Sequence, residues 1–434
     1  MKLNIISISS VCLFLSSLGL FAQNPAVGVQ MKNQTAFINS EIYTGTGEVI
    51  KNGILVVEKG KILDIGSTDL ISKYPNAIIV DVKGKHIYPG IISPNNQLGL
   101  NEIAAVRTTQ DYQEIGKFNP NVRALIAYNT DSEVIPTVRG NGVLITQVTP
   151  EGGTIPGRSS VMNLDGWNWE DAVLKADDGV WLNWPAKMAN SFNMETFTRE
   201  RKKNEKYAPE IEELNTFFTQ AKNYQSNPKD FDNLKFSALA DVFTSTTRLY
   251  INVGGEKEVL DAISFCKKFE IKYPVIVGEV SSEIALNMLK ESNIPVLLPT
   301  THRIPESVDA DVWEAYKLPA KLFAKGILVG MYYNESYWRT RNLPYVAGNA
   351  AGHGLTKAEA LKMITLNNAK ILGIDKMVGS LEKGKNATFI ISTGDILDMR
   401  TSKVEQAFIN GAEVNLDDKQ KRLAEKYNSK YGIK

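Results

Sequence analysis

The sequence predicts an α/β protein: a (β/α)8 TIM-like barrel joined to a small β-sandwich formed by both ends of the mature chain. Three observations predict it. Near the start, "TAFINSEIYTGTGEVIKNGILVVEKGKILDIG" alternates β-branched runs with Gly, Asn and Lys turns, the pattern of strand, turn and strand. Near the end, "GSLEKGKNATFIISTGDILD" and "VEQAFINGAEVNL" have the same character. Between them, short apolar runs alternate with helical patterns, which builds right-handed βαβ units on a parallel sheet.

The alternation is clearest from Arg248 onward. Arg248–Val253 is strand-like, and Glu256–Phe269 places Val259, Ile263 and Cys266 at helical spacing. Tyr273–Gly278 is again a short apolar run, followed by the helical "SSEIALNMLKESN". Then come "IPVLLP", the helical "YKLPAKLFAKG" and "ILVGMYY". A middle segment as long as 86–375 suits a closed barrel better than an open sheet. The last helix announces its start: "LTKAEAL" places Thr356 at the N-cap and Glu359 at N3, a capping box. Residues 185–235, rich in Glu, Lys and Asn, predict one or two solvated helices outside the barrel. The expected boundaries are a composite β-sandwich over 31–85 and 376–415, the barrel over 86–375, and a C-terminal helical tail over 416–434.

The first residues, "MKLNIISISSVCLFLSSLGLFAQNPA", place one lysine before an apolar run that ends at Ala22. The run is short and dotted with serines, so 1–22 reads as a secretory signal peptide rather than a membrane span. The expectation is an exported protein, periplasmic or secreted, with no membrane association after signal removal. Cys12 lies inside that run behind Val11 rather than a small residue, which argues against lipid attachment. The remaining thiol, Cys266, has no internal disulfide partner and sits on an apolar helix face, so it reads as a small buried hydrophobe. A net charge of +1 over 434 residues offers no electrostatic attraction for nucleic acid.

The split β-rich ends, "GKHIYPGIISPNNQLGL", the late "NLPYVAGNAAGHGLTKAEALKMITLNNAKILGI" and "VGSLEKGKNATFII" together resemble the amidohydrolase superfamily, in its imidazolonepropionase-like branch. The resemblance runs from about Thr35 to Val414. It implies hydrolysis of a carbon–nitrogen bond other than a peptide bond, with zinc or another divalent ion lowering the pKa of a bound water. It also implies a ligand set: His-x-His after barrel strand 1, Lys or Glu on strand 4, one histidine each on strands 5 and 6, and Asp on strand 8. Aligned on Tyr88-Pro89-Gly90, the strand 1 pair falls on Asn95 and Gln97. The strand 5 place falls on Asn252 and the strand 6 place on Gly278 and Glu279. The strand 8 aspartate falls on Tyr332, and no residue is assigned to strand 4.

Neutral amides are poor zinc ligands, so no metal ligand, cofactor or catalytic residue is assigned. The expected substrate pocket comprises Asn95, Gln97, Asn252, Glu279, His302, Tyr332 and Glu335. Of the three histidines, His86 and His353 read as structural, and only His302 follows a barrel strand. "TPEGGTIPGRSS" lacks the ending of a phosphate loop, which leaves Arg158 as either a ligand contact or part of a tight turn. Trp169, Trp181 and Trp184 read as packing rather than a ligand platform. Two functions remain open. One is a member degenerate in metal catalysis, binding a small molecule or serving an active amidohydrolase relative as partner subunit in a homo- or hetero-oligomer. The other is a hydrolase of non-peptide C–N bonds in a small, cyclic substrate, with Glu279 or Glu335 as base and Tyr332 or His302 as acid.

Overall fold

A computed structural model describes residues 26–194, 197–226, 233–244, 247–305 and 309–433. The expected signal peptide and Cys12 lie outside these residues. No described helix is long and apolar enough to cross a membrane.

Both ends of the chain enter one nine-stranded sheet. The N-terminal half contributes six strands, from Val29–Gln30 to His86–Pro89, and the C-terminal part contributes Phe389–Ser392, Val404–Ile409 and Ala412–Val414. The halves are stitched where Phe389–Ser392 runs antiparallel to His86–Pro89, and again where Val29–Gln30 pairs with Ala412–Glu413. Two hairpins follow directly from sequence. Lys59-Gly60 (φ 49° and 77°) and Asn410-Gly411 (φ 50° and 77°) supply the two left-handed residues of a tight two-residue turn. Alternation along the strands sends Phe37, Phe389 and Phe408 to one face, with ring centroids 4.5–5.2 Å apart. His86 belongs to this unit, with its Nδ1 3.0 Å from the Tyr88 hydroxyl.

Eight further strands form the nearly closed barrel, in chain order: Ile91–Asn96, Val143–Val148, Gly157–Asn163, Val173–Asn183, Arg248–Asn252, Pro274–Val277, Val296–Leu298 and Val329–Met331. From Val173 onward all neighbours are parallel, and the helices Glu256–Phe269, Glu283–Glu291 and Glu314–Ala324 make the crossovers. The third strand departs from the regular (β/α)8 pattern. Gly157–Asn163 runs antiparallel to both neighbours, entered by the tight loop "TPEGGTIP" and left through a connection whose only helix is the single turn Trp169–Ala172. One helical turn is too short to carry the chain back across the barrel as a parallel crossover.

The segment 185–235 also differs from expectation. It opens with a β-hairpin, Met188–Asn193 against Thr198–Lys203, before the helix Tyr207–Ser226. That helix is not merely solvated: Leu214, Phe218 and Ala221 are fully buried, and Phe218 meets Phe265 at 4.8 Å. Its charged outer face concealed a 3–4 residue apolar spacing. The thiol of Cys266 is buried beside this cluster, and burial pushes its pKa up to about 12. The capping box at Thr356 and Glu359 forms in both directions.

The barrel's first and last strands are joined by a side chain. Helix Leu366–Leu372 sets Asn368 between them, donating to Ile92 O at 2.8 Å and Met331 O at 2.9 Å and accepting from Met331 N at 3.2 Å. Asn367 adds a bond to Val329 O at 2.9 Å. Gly330 makes room, since a Cβ there would collide with the Asn368 carboxamide. At the other end of the helix, Arg248 bonds the carbonyls of Ile371 and Lys370, and Lys175 bonds Leu372 O at 2.9 Å. Cations at a helix C-terminus satisfy its orphan carbonyls and its dipole.

Candidate functional site

The carboxyl ends of the barrel strands surround a cleft of about 370 Å³. Five of the seven expected pocket residues line it: Asn95, Gln97, Asn252, Tyr332 and Glu335. The strands explain the convergence, because alternate residues face the lumen and strand-end residues meet at its mouth.

Asn95, one residue before the end of the first strand, lies in the left-handed region (φ 50°), which asparagine tolerates better than most residues. Its N–H donates to Gln147 Oε1 at 3.1 Å, and its side chain bonds the Tyr332 phenol. Tyr332 is 6% exposed, and burial raises its pKa, with the Asn95 bond opposing and the Glu279 charge reinforcing the rise. The phenol is therefore neutral at physiological pH. Asn252 donates to Asn183 Oδ1 at 3.3 Å, and Asn183 in turn donates to Gly153 O at 2.9 Å.

Under the mouth, Trp181 stacks on Tyr250 with centroids 4.8 Å apart and planes 14° apart. Gly179 is required there, because a Cβ would strike the Tyr250 ring. Below the stack lies a buried polar group. Asp178 accepts from Ser159 Oγ at 2.8 Å, Gln147 Nε2 at 2.9 Å and Tyr250 OH at 2.7 Å. Burial raises the Asp178 pKa, and the hydrogen bond from Tyr250 and the charge of Lys175 act against the rise. Gln147 thus links Asp178 to the backbone of Asn95.

Two expected pocket residues lie elsewhere. Glu279 is not part of the cleft lining; it is held by Arg303, whose Nε donates to Oε1 at 2.9 Å. Its side chain acts on the site only through its charge near Tyr332. His302 lines a separate groove of about 800 Å³ beside residues 395–400, with Nδ1 2.7 Å from the Tyr316 hydroxyl. Glu335 stays in the cleft but is bonded by Arg339 Nη1 at 2.8 Å. Glu279 and Glu335 are both committed to arginines.

Three residues escaped the sequence reading. Asn183 closes the strand before Arg248–Asn252 and pairs in register with Asn252, adding a further amide at the place left unassigned for strand 4. Asn101 and Glu151 come from loops and line the cleft. Glu151 keeps exposed surface, yet protein packed around its carboxyl raises its pKa, with a hydrogen bond from Gln97 opposing. The "TPEGG" motif was the available signal for Glu151. Arg158 is absent from the cleft lining, and the tryptophans pack: Trp184 is 6% exposed and donates to Tyr207 OH at 3.1 Å.

These donors do not fit a divalent ion. Carboxamides, a neutral phenol, the arginine-bound Glu335 and the single further carboxylate Glu151 provide little anionic charge, whereas zinc takes imidazole, thiolate and carboxylate. Among the described residues, no three or more His, Cys, Asp or Glu side chains gather as a metal site.

Residues 334–414 match the amidohydrolase family model. Imidazolonepropionase of Fusobacterium nucleatum is 24% identical over 370 residues, 79% of this chain and 86% of that enzyme. A 5-methylthioadenosine/S-adenosylhomocysteine deaminase of Bacillus anthracis is 29% identical over 75 residues, 17% of each chain. The crystal structure of an amidohydrolase from Thermotoga maritima superposes with a TM-score of 0.74 at 23% identity, covering 88% of this chain and 99% of that one. Over residues 334–414 the chain carries the amidohydrolase family pattern, and its fold is that of the Thermotoga maritima amidohydrolase.

Proposed function

We propose that the chain is an exported amidohydrolase-superfamily protein whose barrel cleft binds a small molecule without a hydrolytic divalent ion. One observation carries this reading: where the superfamily resemblance implies metal ligands, the cleft presents Asn95, Gln97, Asn252 and Tyr332, four neutral groups hydrogen-bonded into its wall, while Glu279 at the strand 6 place is held by Arg303. Such groups orient a ligand by hydrogen bonding. The reading includes the signal peptide over 1–22, the nine-stranded unit as the composite β-sandwich, and association with a second copy or an active amidohydrolase relative.

A second reading, hydrolysis of a non-peptide C–N bond, is favoured by the names of the relatives and by Glu151. A carboxylate with a raised pKa beside a cleft is suited to take a proton from an attacking water.

The test is elemental analysis of the mature protein after growth with zinc and manganese, alongside hydrolysis assays on small cyclic amides. Metal far below one ion per chain, with no turnover, supports the binding reading. One or more ions per chain, lost on Asn95→Ala, or turnover abolished by Glu151→Gln, overturns it.

A further inference from the structure

The cleft's carboxylates differ in what faces them. Glu335 has Arg339 at 2.8 Å, and Glu279, just outside, has Arg303 at 2.9 Å. Glu151 lines the cleft and, among the described residues, pairs with no cation. Its neighbour is Gln97, whose amide donates to the carboxylate. Gln97 Oε1 accepts from Asn101 Nδ2 at 3.4 Å. Asn101 is 4% exposed, and its Oδ1 is buried without a donor. This run of side chains therefore ends in an acceptor at each extremity, one of them charged. Buried acceptors without donors are costly, and an unpaired carboxylate in a partly dehydrated cleft favours a cation. Around them stand Tyr333, Tyr337 and the 38% exposed Trp338, whose ring already carries Arg339 and Arg341 within 5.0–5.2 Å of its centroid. Aromatic faces stabilise cations, and planar ones stack on them.

We propose that the cleft takes a ligand bearing a planar cationic N–H donor, an amidinium or guanidinium, seated on Glu151. This rests on the reading of the cleft as a binding site and names its ligand class. Two parallel N–H bonds to one carboxylate match this group's geometry, which neither an ammonium nor a neutral amide reproduces. One feature nearby would favour an anion instead: Arg341, lying 5.2 Å from the Trp338 ring centroid.

Isothermal titration with benzamidine, benzamide and benzoate tests the assignment, since the three share a shape and differ in charge and donors. The mature chain should bind benzamidine at least tenfold more tightly than either other probe. In Glu151→Gln, with folding verified by thermal unfolding, benzamidine affinity should fall to that of benzamide. Equal binding of benzamide, preference for benzoate, no benzamidine binding at millimolar concentration, or an unchanged preference in Glu151→Gln would each overturn the proposal. Metal content measured on the same preparation separates the two readings. One ion per chain sinks the metal-free cleft whichever probe binds, whereas metal-free protein that prefers benzamide sinks only the cationic ligand.

Discussion

The carboxamide of Asn368 donates to the carbonyl of Ile92 at 2.8 Å, joining the helix Leu366–Leu372 to the barrel's first strand at the seam with its last. The same nitrogen also reaches Met331 O at 2.9 Å. A side chain here stands in for the ladder bonds that would otherwise link these two strands. Asn368→Ala leaves three buried backbone groups short of a partner and should cost about 3 kcal/mol. Asn368→Asp should cost more, because a buried carboxylate would face two carbonyls. Urea unfolding of the three proteins checks the order, and equal stability of the two variants would contradict the seam role.

Asp178 makes a second prediction. It accepts three hydrogen bonds and donates none. Asparagine at this position would turn an amide toward a donor, so Asp178→Asn should lose about 2–4 kcal/mol of stability despite its matching shape. Gln147 can compensate only by flipping, which takes its oxygen from the Asn95 N–H. Backbone chemical shifts at Asn95 should therefore move in any folded fraction of this variant, and shifts that stay in place would rule out the linkage.

Glu151 makes the third, on pH. Its folded pKa lies above the ordinary carboxylate value, with burial the first cause. In the window between the ordinary and the raised value, the folded chain holds more proton than the unfolded one. Stability contributed by this group therefore falls as pH rises through that window, and the full penalty remains above it. Glu151→Gln should flatten this part of the stability–pH profile while leaving the acid limit nearly unchanged. A variant profile parallel to the parent's would show that Glu151 is not perturbed.

Some of this was legible in residue order alone. Lys59-Gly60 and Asn410-Gly411 announce hairpins because few other pairs accept two left-handed conformations in a row. Thr356 and Glu359 announce a helix start because both partners lie within one turn. The positions of Asn95, Gln97, Asn252 and Tyr332 came from the amidohydrolase resemblance, and they line the cleft because a strand delivers its end to the barrel mouth. His302 and Glu279 lie outside the cleft lining for a different reason. Each lies beyond a strand end, where loop path rather than period sets direction, and Tyr316 and Arg303 hold them away from the cleft.

Local pattern therefore specified the strands, the hairpins and the capped helix, because those depend on neighbours within a few positions, while the family resemblance indicated which strand-end residues meet in the cleft. The Asn368 seam and the Asp178 network depend on partners 19 to 276 positions apart, the reversed third strand on the path of its connections, and the isolation of Glu151 on the want of a cationic partner. Nothing in a residue's neighbours along the chain specifies such pairings. They arise when burial forces each polar group to find, or go without, a partner in three dimensions.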